Sequence, residues 1–134
     1  MKGCAHRPDE GTWITEDFIH AYLSLHELGF AHSVEAWDAD GELVGGLYGV
    51  SLGSMFFGES MFAKASNASK VAFIALARQL HTWGFDWIDC QIMNPHLERL
   101  GAHHIPRQDF LDVLSAALEK DTRRGLWSFN EATP

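Results

Sequence analysis

The stretch Trp87-Ile88-Asp89-Cys90-Gln91-Ile92 decides how the rest of the chain is read. It follows a helical pattern and predicts a short strand. Successive side chains of a strand alternate, so Trp87, Asp89 and Gln91 share one side while Ile88, Cys90 and Ile92 share the other. The apolar side, Cys90 included, belongs to the core. An acid and an amide on the opposite side of a central strand are costly to bury alone. They imply either a structural polar pair with partners of its own or a solvated cleft where chemistry is done.

Working upstream, a helix is expected to begin at Asn67 as its cap and to run through Phe73, Leu76 and Leu80 to Gly84. Three strand-like segments precede it, Ala31 to Trp37, Leu43 to Val50 and Ser54 to Glu59. The turn signal Asp38-Ala39-Asp40-Gly41 joins the first two, which predicts an antiparallel meander. The glycines of Gly45-Gly46-Leu47-Tyr48-Gly49 weaken a strand interior and point to a bulge or a close approach of a ligand or another backbone. A first helix starts at the cap Thr15, carries Glu16 and Asp17 near its positive end and stops at Gly29, with Phe18, Ile19, Tyr22, Leu23 and Leu25 as its buried stripe. Downstream, Asn94-Pro95 opens a helix ending near Gly101, and a strand is expected around His103-His104-Ile105-Pro106. Phe110, Leu111, Val113, Leu114, Ala117 and Leu118 then mark a final amphipathic helix. The order α-β-β-β-α-β-α-β-α implies an α+β domain with helices packed on a mixed sheet. Among acyl-transfer proteins that order resembles the GNAT fold.

With 134 residues, 46% hydrophobic and 21% charged, the chain fits one globular domain over residues 1–134, with residues 1–12 as a lead-in and 121–134 as a tail. The opening Met1 to Thr12 is polar and unlike a signal peptide, and no stretch is long and apolar enough to span a bilayer, so a cytoplasmic protein is expected. Cys4 and Cys90 form no Cys-x-x-Cys motif, His26-Glu27 lacks the second histidine of a His-Glu-x-x-His helix, and His103 and His104 would point apart on a strand. No metal site and no cofactor are expected. The formal net charge of -8 sits badly with direct nucleic-acid binding, because phosphate contacts draw on a basic patch.

Two further features carry candidate chemistry. In Phe56-Phe57-Gly58-Glu59-Ser60-Met61-Phe62 a carboxylate stands among large apolar side chains. It reads either as an exposed strand end or as an apolar pocket with one negative group. Ser66-Asn67-Ala68-Ser69-Lys70 offers free amides and a lysine to an anion, and ordinary capping explains it equally well.

Beyond these patterns, the chain resembles the leucyl/phenylalanyl-tRNA–protein transferase family. The likeness runs through Gly11-Thr12-Trp13-Ile14-Thr15, Ala21-Tyr22, Leu25-His26-Glu27-Leu28-Gly29, Ala31-His32-Ser33-Val34-Glu35 and Leu43-Val44-Gly45-Gly46-Leu47-Tyr48-Gly49-Val50. It continues in Phe57-Gly58-Glu59-Ser60-Met61-Phe62, Asn67-Ala68-Ser69-Lys70, Ile88-Asp89-Cys90-Gln91, Leu100-Gly101-Ala102 and Ile105-Pro106-Arg107. The resemblance implies a GNAT-like catalytic domain with Asp89 and Gln91 at the reaction centre. It implies that Phe56, Met61, Phe73 and Leu76 line a pocket for a leucyl or phenylalanyl side chain. Trp13 and Tyr22 match positions near the terminal adenosine and the pocket, and Glu59 matches an acidic position near the acceptor peptide.

The activity implied is transfer of Leu or Phe, and also Met, from aminoacyl-tRNA to proteins with N-terminal Lys or Arg, marking them for N-end-rule degradation. The family's additional N-terminal domain helps to hold the tRNA and is not part of this sequence, so weak tRNA affinity is expected of this acidic chain. Two rivals remain open: an acyl-CoA-dependent GNAT acetyltransferase, and an inactive aminoacyl- or peptide-binding fragment. The first wants a glycine-rich pyrophosphate loop before the second helix, and Met61 to Lys70 contains no glycine.

Overall fold

The computed structural model describes residues 1–5, 15–91 and 94–129. A single turn, α1 (Lys2–Ala5), precedes the first long helix, α2 (Glu16–Glu27). Thr15 caps α2 as expected, its Oγ1 accepting from the Phe18 N–H at 3.4 Å, and Gly29 ends it at φ 89°, a left-handed turn that suits glycine. The buried stripe is narrower than its apolar pattern. Ile19 is buried and Tyr22 and Leu25 are half-buried, but Phe18 (45%) and Leu23 (53%) are exposed.

The meander forms as β1 (Ala31–Trp37), β2 (Leu43–Leu52) and β3 (Met55–Ala63), each pair antiparallel. Asp38 holds the first turn: its Oδ1 accepts from the amides of Asp40 and Glu42, both at 2.9 Å. The glycine-rich run behaves as its composition implies. A β-carbon on Gly49 would lie 2.2 Å from the Phe57 carbonyl oxygen, and one on Gly45 would lie 2.6 Å from the Ala68 β-carbon. The ladder slips at this place: Gly49 pairs with Gly58 and Tyr48 with Ser60, which leaves Glu59 as the extra residue of a bulge. Beyond the bulge Ser60 to Ala63 keep pairing, so β3 runs four residues past the expected end at Glu59.

Helix α3 (Ala68–Thr82) begins where expected but not as expected. Asn67 stands at φ 64°, in the left-handed region, and makes no side-chain cap bond. A cap side chain reaches the first-turn amides from an extended backbone, which Asn67 lacks. Strand β4 (Trp87–Asp89) lies parallel to β3, giving the order β1-β2-β3-β4. It stops three residues short of Ile92. The Asp89 Oδ1 accepts the Gln91 main-chain N–H at 2.9 Å, and Gln91 turns to φ 60°, so strand alternation does not carry past Asp89. Helix α4 (Pro95–Arg99) has the anticipated cap, Asn94 Oδ1 accepting from the Leu97 N–H at 2.9 Å. The strand expected around 103–106 is absent: residues 102–106 have neither helix nor strand, and Pro106, which has no N–H for a ladder, instead leads into α5 (Arg107–Leu118). On α5 only Ala117 is fully buried, while Leu111 and Leu118 are exposed.

The result is an α+β arrangement, a four-stranded mixed sheet with helices on both faces. Neighbouring residues of β2 open onto different clusters, as alternation requires. Leu47 joins Val34, Phe56, Ala72, Leu76 and Leu80 under α3. Tyr48 joins Ile19 and Cys4 under α2 and α1. The segment after α5 laces across one end. Lys120 and Ser54 both bond the Asp86 carboxylate, Thr122 accepts from the Gly53 N–H at 2.8 Å, and Arg124 donates twice to the Leu28 carbonyl. Trp127 stacks flat on His32 at 3.8 Å and meets Trp83, Phe85 and Phe56. Among the described residues no helix is long and apolar enough to cross a membrane.

Candidate functional site

The parallel pair β3–β4, the second half of α3 and the segment from α4 into α5 enclose a cavity of about 720 Å³. Asp89 and Gln91 both line it. Phe73, Ala77 and Leu80 from α3, with Phe110 and Val113 from α5, supply an apolar wall, and His81, His103, His104 and Arg107 stand around the remainder. A space of this size, with an apolar wall and a polar remainder, suits a small ligand or a peptide end.

The left-handed turn brings Asp89 and Gln91 to the same cavity, and it does so through the main chain. The Asp89 carboxylate receives the Gln91 backbone amide and fixes the bend from which the Gln91 side chain, itself exposed, projects. Asp86, three residues before Asp89, is engaged elsewhere: hydrogen bonds from Lys120 first, and from Ser54, hold its carboxyl below the usual range. Cys90, which alternation assigns to the core, lies past the end of β4 at the cavity wall and is half-buried. Burial, and then the neighbouring Asp89 charge, push its thiol up, which leaves little thiolate for nucleophilic work. His103 and His104 lie outside any strand, and both line the cavity.

The other candidate residues divide between the two faces of the sheet. Phe73 reaches the cavity, and Met61 packs at the margin of the cluster under α3. Phe56 (1%) and Leu76 (0%) lie inside that cluster and not on the cavity wall. Tyr22 packs in the cluster on the α2 side, its ring edge-on to Tyr48 at 5.3 Å. Burial, followed by the charge and hydrogen bonding of Glu59, pushes the Tyr22 hydroxyl up to about 12. The bulge therefore aims Glu59 at Tyr22, away from the apolar cluster under α3. Trp13 lies outside the described residues. Beside the start of α3 a shallower recess of about 360 Å³ is lined by Lys64, Ser66, Asn67, Ser69, Lys70 and His96. Sequence reasoning missed the contributions of α5 and of residues 100–105 to the cavity, because nothing in their spacing distinguishes a cavity wall from a core face.

A sequence profile of the family described as leucyl/phenylalanyl-tRNA protein transferase matches residues 1–115. The chain belongs to this family. It is similar to the leucyl/phenylalanyl-tRNA–protein transferase of Myxococcus xanthus, 60% identical over 123 residues that make up 91% of this chain and 52% of that protein. The transferase of Nitrosospira multiformis is 55% identical over 132 residues, 97% of this chain and 56% of its own length. That of Desulfatibacillum aliphaticivorans is 60% identical over 131 residues, 96% and 56% respectively. The chain thus spans about half the length of these family members, and the half it spans contains the Asp89–Gln91 turn and its cavity.

Proposed function

We propose that the chain performs the acyl-transfer step of a leucyl/phenylalanyl-tRNA–protein transferase, passing Leu or Phe, and also Met, from aminoacyl-tRNA to the α-amine of a protein beginning with Lys or Arg. In this reading it is a single GNAT-like catalytic domain acting in the cytoplasm, and its product is marked for N-end-rule degradation. The observation that carries the proposal is the turn at residues 89–91, which presents a carboxylate and a carboxamide to one cavity within a chain of this family.

The donor ester is already activated, so alignment supplies much of the rate. The acceptor nitrogen attacks the ester carbonyl, an amide forms and the tRNA terminal hydroxyl leaves with a proton. The Gln91 side-chain oxygen accepts a hydrogen bond from the incoming amine and orients its lone pair. Asp89, which holds the turn, is a positioning residue for Gln91 and adds a negative charge that draws in the ammonium form. An unperturbed α-amine titrates near 8, so at neutral pH the site must hold it while its proton is lost. Phe73 lines the donor side-chain pocket; Met61, Phe56 and Leu76 form its backing, and a side chain entering among the last two has to part the cluster under α3. Trp13 and Tyr22 serve the terminal adenosine, and Glu59 serves the basic first residue of the acceptor through charge pairing.

The reading is tested by supplying labelled phenylalanyl-tRNA and an Arg-initiated peptide, with and without the remaining half of a family member. Labelled peptide is expected, with the added half raising the rate at low tRNA concentration. A thermal shift with acetyl-CoA and none with an aminoacyl-adenosine analogue would favour the acetyltransferase reading instead.

A further inference from the structure

A strand that lines a cavity with one face contributes every second residue. The cavity beside β4 is lined by seven consecutive residues, Phe85 to Gln91, and by a second run of six, Leu100 to Ile105. Within β4 itself, where alternation holds, consecutive residues line a space when the main-chain edge borders it. On one side that edge is β4, the end strand of the order β1-β2-β3-β4. The Trp87 N–H donates to the Ser54 carbonyl at 3.4 Å, and the Asp89 carbonyl oxygen lies toward Gly58, so both residues turn their main-chain groups to the β3 side. Alternation then turns the N–H and C=O of Ile88 outward, to the cavity. On the other side, residues 102–106 have no helix or strand, and among the described residues no backbone hydrogen bond ties His103, His104 or Ile105 to another segment. A strand spaced about 4.8 Å from its neighbours, with side chains over about 10 Å and a rise of about 3.4 Å, occupies roughly 160 Å³ per residue. The 720 Å³ cavity therefore holds on the order of four extended residues in all, so that an acceptor of about two or three leaves room for a donor side chain against Phe73.

We infer that an acceptor polypeptide enters this slot as an added strand, its main chain pairing with Ile88 on the edge of β4 that no described strand covers and its amino terminus meeting Asp89 and Gln91. The inference rests on the proposed transferase reading for the identity of the occupant. The Asp89 carboxylate complements an α-ammonium, and main-chain pairing gives affinity with little demand on side chains. That mode suits an acceptor whose sequence beyond its first residue differs from protein to protein.

The test uses the pentapeptide Arg-Ala-Ala-Ala-Gly amide and versions carrying one N-methylated main-chain nitrogen each, titrated against the isotope-labelled full chain. Strand pairing predicts that methylation at alternate positions weakens binding about tenfold while intervening positions change little, as one main-chain hydrogen bond is lost at a time. It also predicts that the parent peptide slows hydrogen exchange at the Ile88 amide at least tenfold. A flat response to methylation, protection elsewhere but not at Ile88, or no binding at millimolar peptide overturns the inference. A peptide that binds with the alternating pattern yet receives no Leu or Phe leaves the strand slot standing and removes the transferase reading. Transfer without the pattern does the reverse.

Discussion

Replacing Gln91 by glycine separates what the residue does for the fold from what it does in the cavity. At φ 60° a side chain pays for its left-handed backbone by roughly 1–2 kcal/mol, which glycine does not. Against that, glycine gives up about 0.5–1 kcal/mol more backbone entropy on folding. The side chain is exposed and contributes little buried area, so the balance is a gain of about 0.5 kcal/mol, or roughly 2 °C in Tm for a chain of this size. The Asp89 bond to the backbone N–H survives, because it does not involve the side chain. Transfer should fall about 100-fold, the lower range for loss of a positioned hydrogen-bonding group. Urea unfolding followed by tryptophan fluorescence, beside a transfer assay with labelled phenylalanine, reads both quantities. The companion Asp89→Asn keeps an acceptor oxygen for the turn and should leave stability within about 0.5 kcal/mol while slowing transfer. A Gln91→Gly chain less stable by about 1 kcal/mol or more would show that the turn is not held against its preference. One that transfers at the parent rate would remove the side chain from the chemistry.

Other consequences follow from the same geometry. Burial beneath Trp127 lowers the His32 pKa to about 4, against the cost-offsetting hydrogen bond from its Nε2 to the Gly29 carbonyl. The unfolded chain then binds a proton that the folded chain does not, so stability is full above the unfolded value of about 6.5 and falls by roughly 3 kcal/mol as pH drops toward 4. Urea titrations at pH 7 and pH 4.5 should show this loss in the parent and much less of it in His32→Gln; equal losses would contradict it. Gly53 stands at φ 56°, and a β-carbon there would lie 1.9 Å from the Ala117 carbonyl oxygen, so Gly53→Ala should destabilise by about 2 kcal/mol or more in thermal unfolding. Cys90, half-buried with its thiol pushed up, should react with iodoacetamide at pH 8 more slowly than a free cysteine, and peptide in the cavity should slow it further.

The strands of the meander were legible because strand-like runs bounded by the Asp38 turn are local signals, and the glycine run signalled the close backbone approach found at Gly45 and Gly49. The polar pair was legible for a different reason, since an acid and an amide beside a core strand ask for a partner or a cleft. What failed was the extension of the strand to Cys90 and Gln91; Ile92 lies outside the described residues. A single carboxylate-to-amide bond ends the strand at Asp89, and a two-residue Asx-like bend leaves no periodicity to read. Asn67 misled in the same manner, because a good cap residue also tolerates the left-handed region it occupies. The split of Tyr22 and Glu59 from Phe56 and Leu76 across the sheet depends on one extra residue in β3, which composition alone does not locate.

The central claim is that Asp89 and Gln91 frame the place where an aminoacyl ester meets a free amine. Its most direct measurement is the rate at which this chain makes phenylalanyl-peptide from saturating 3′-phenylalanyl-adenosine and an Arg-initiated peptide, a donor small enough to need no wider tRNA contact. Product should accumulate with the parent chain and form about 100-fold more slowly with Gln91→Ala. Equal rates from the parent, Gln91→Ala and Asp89→Ala would contradict the account.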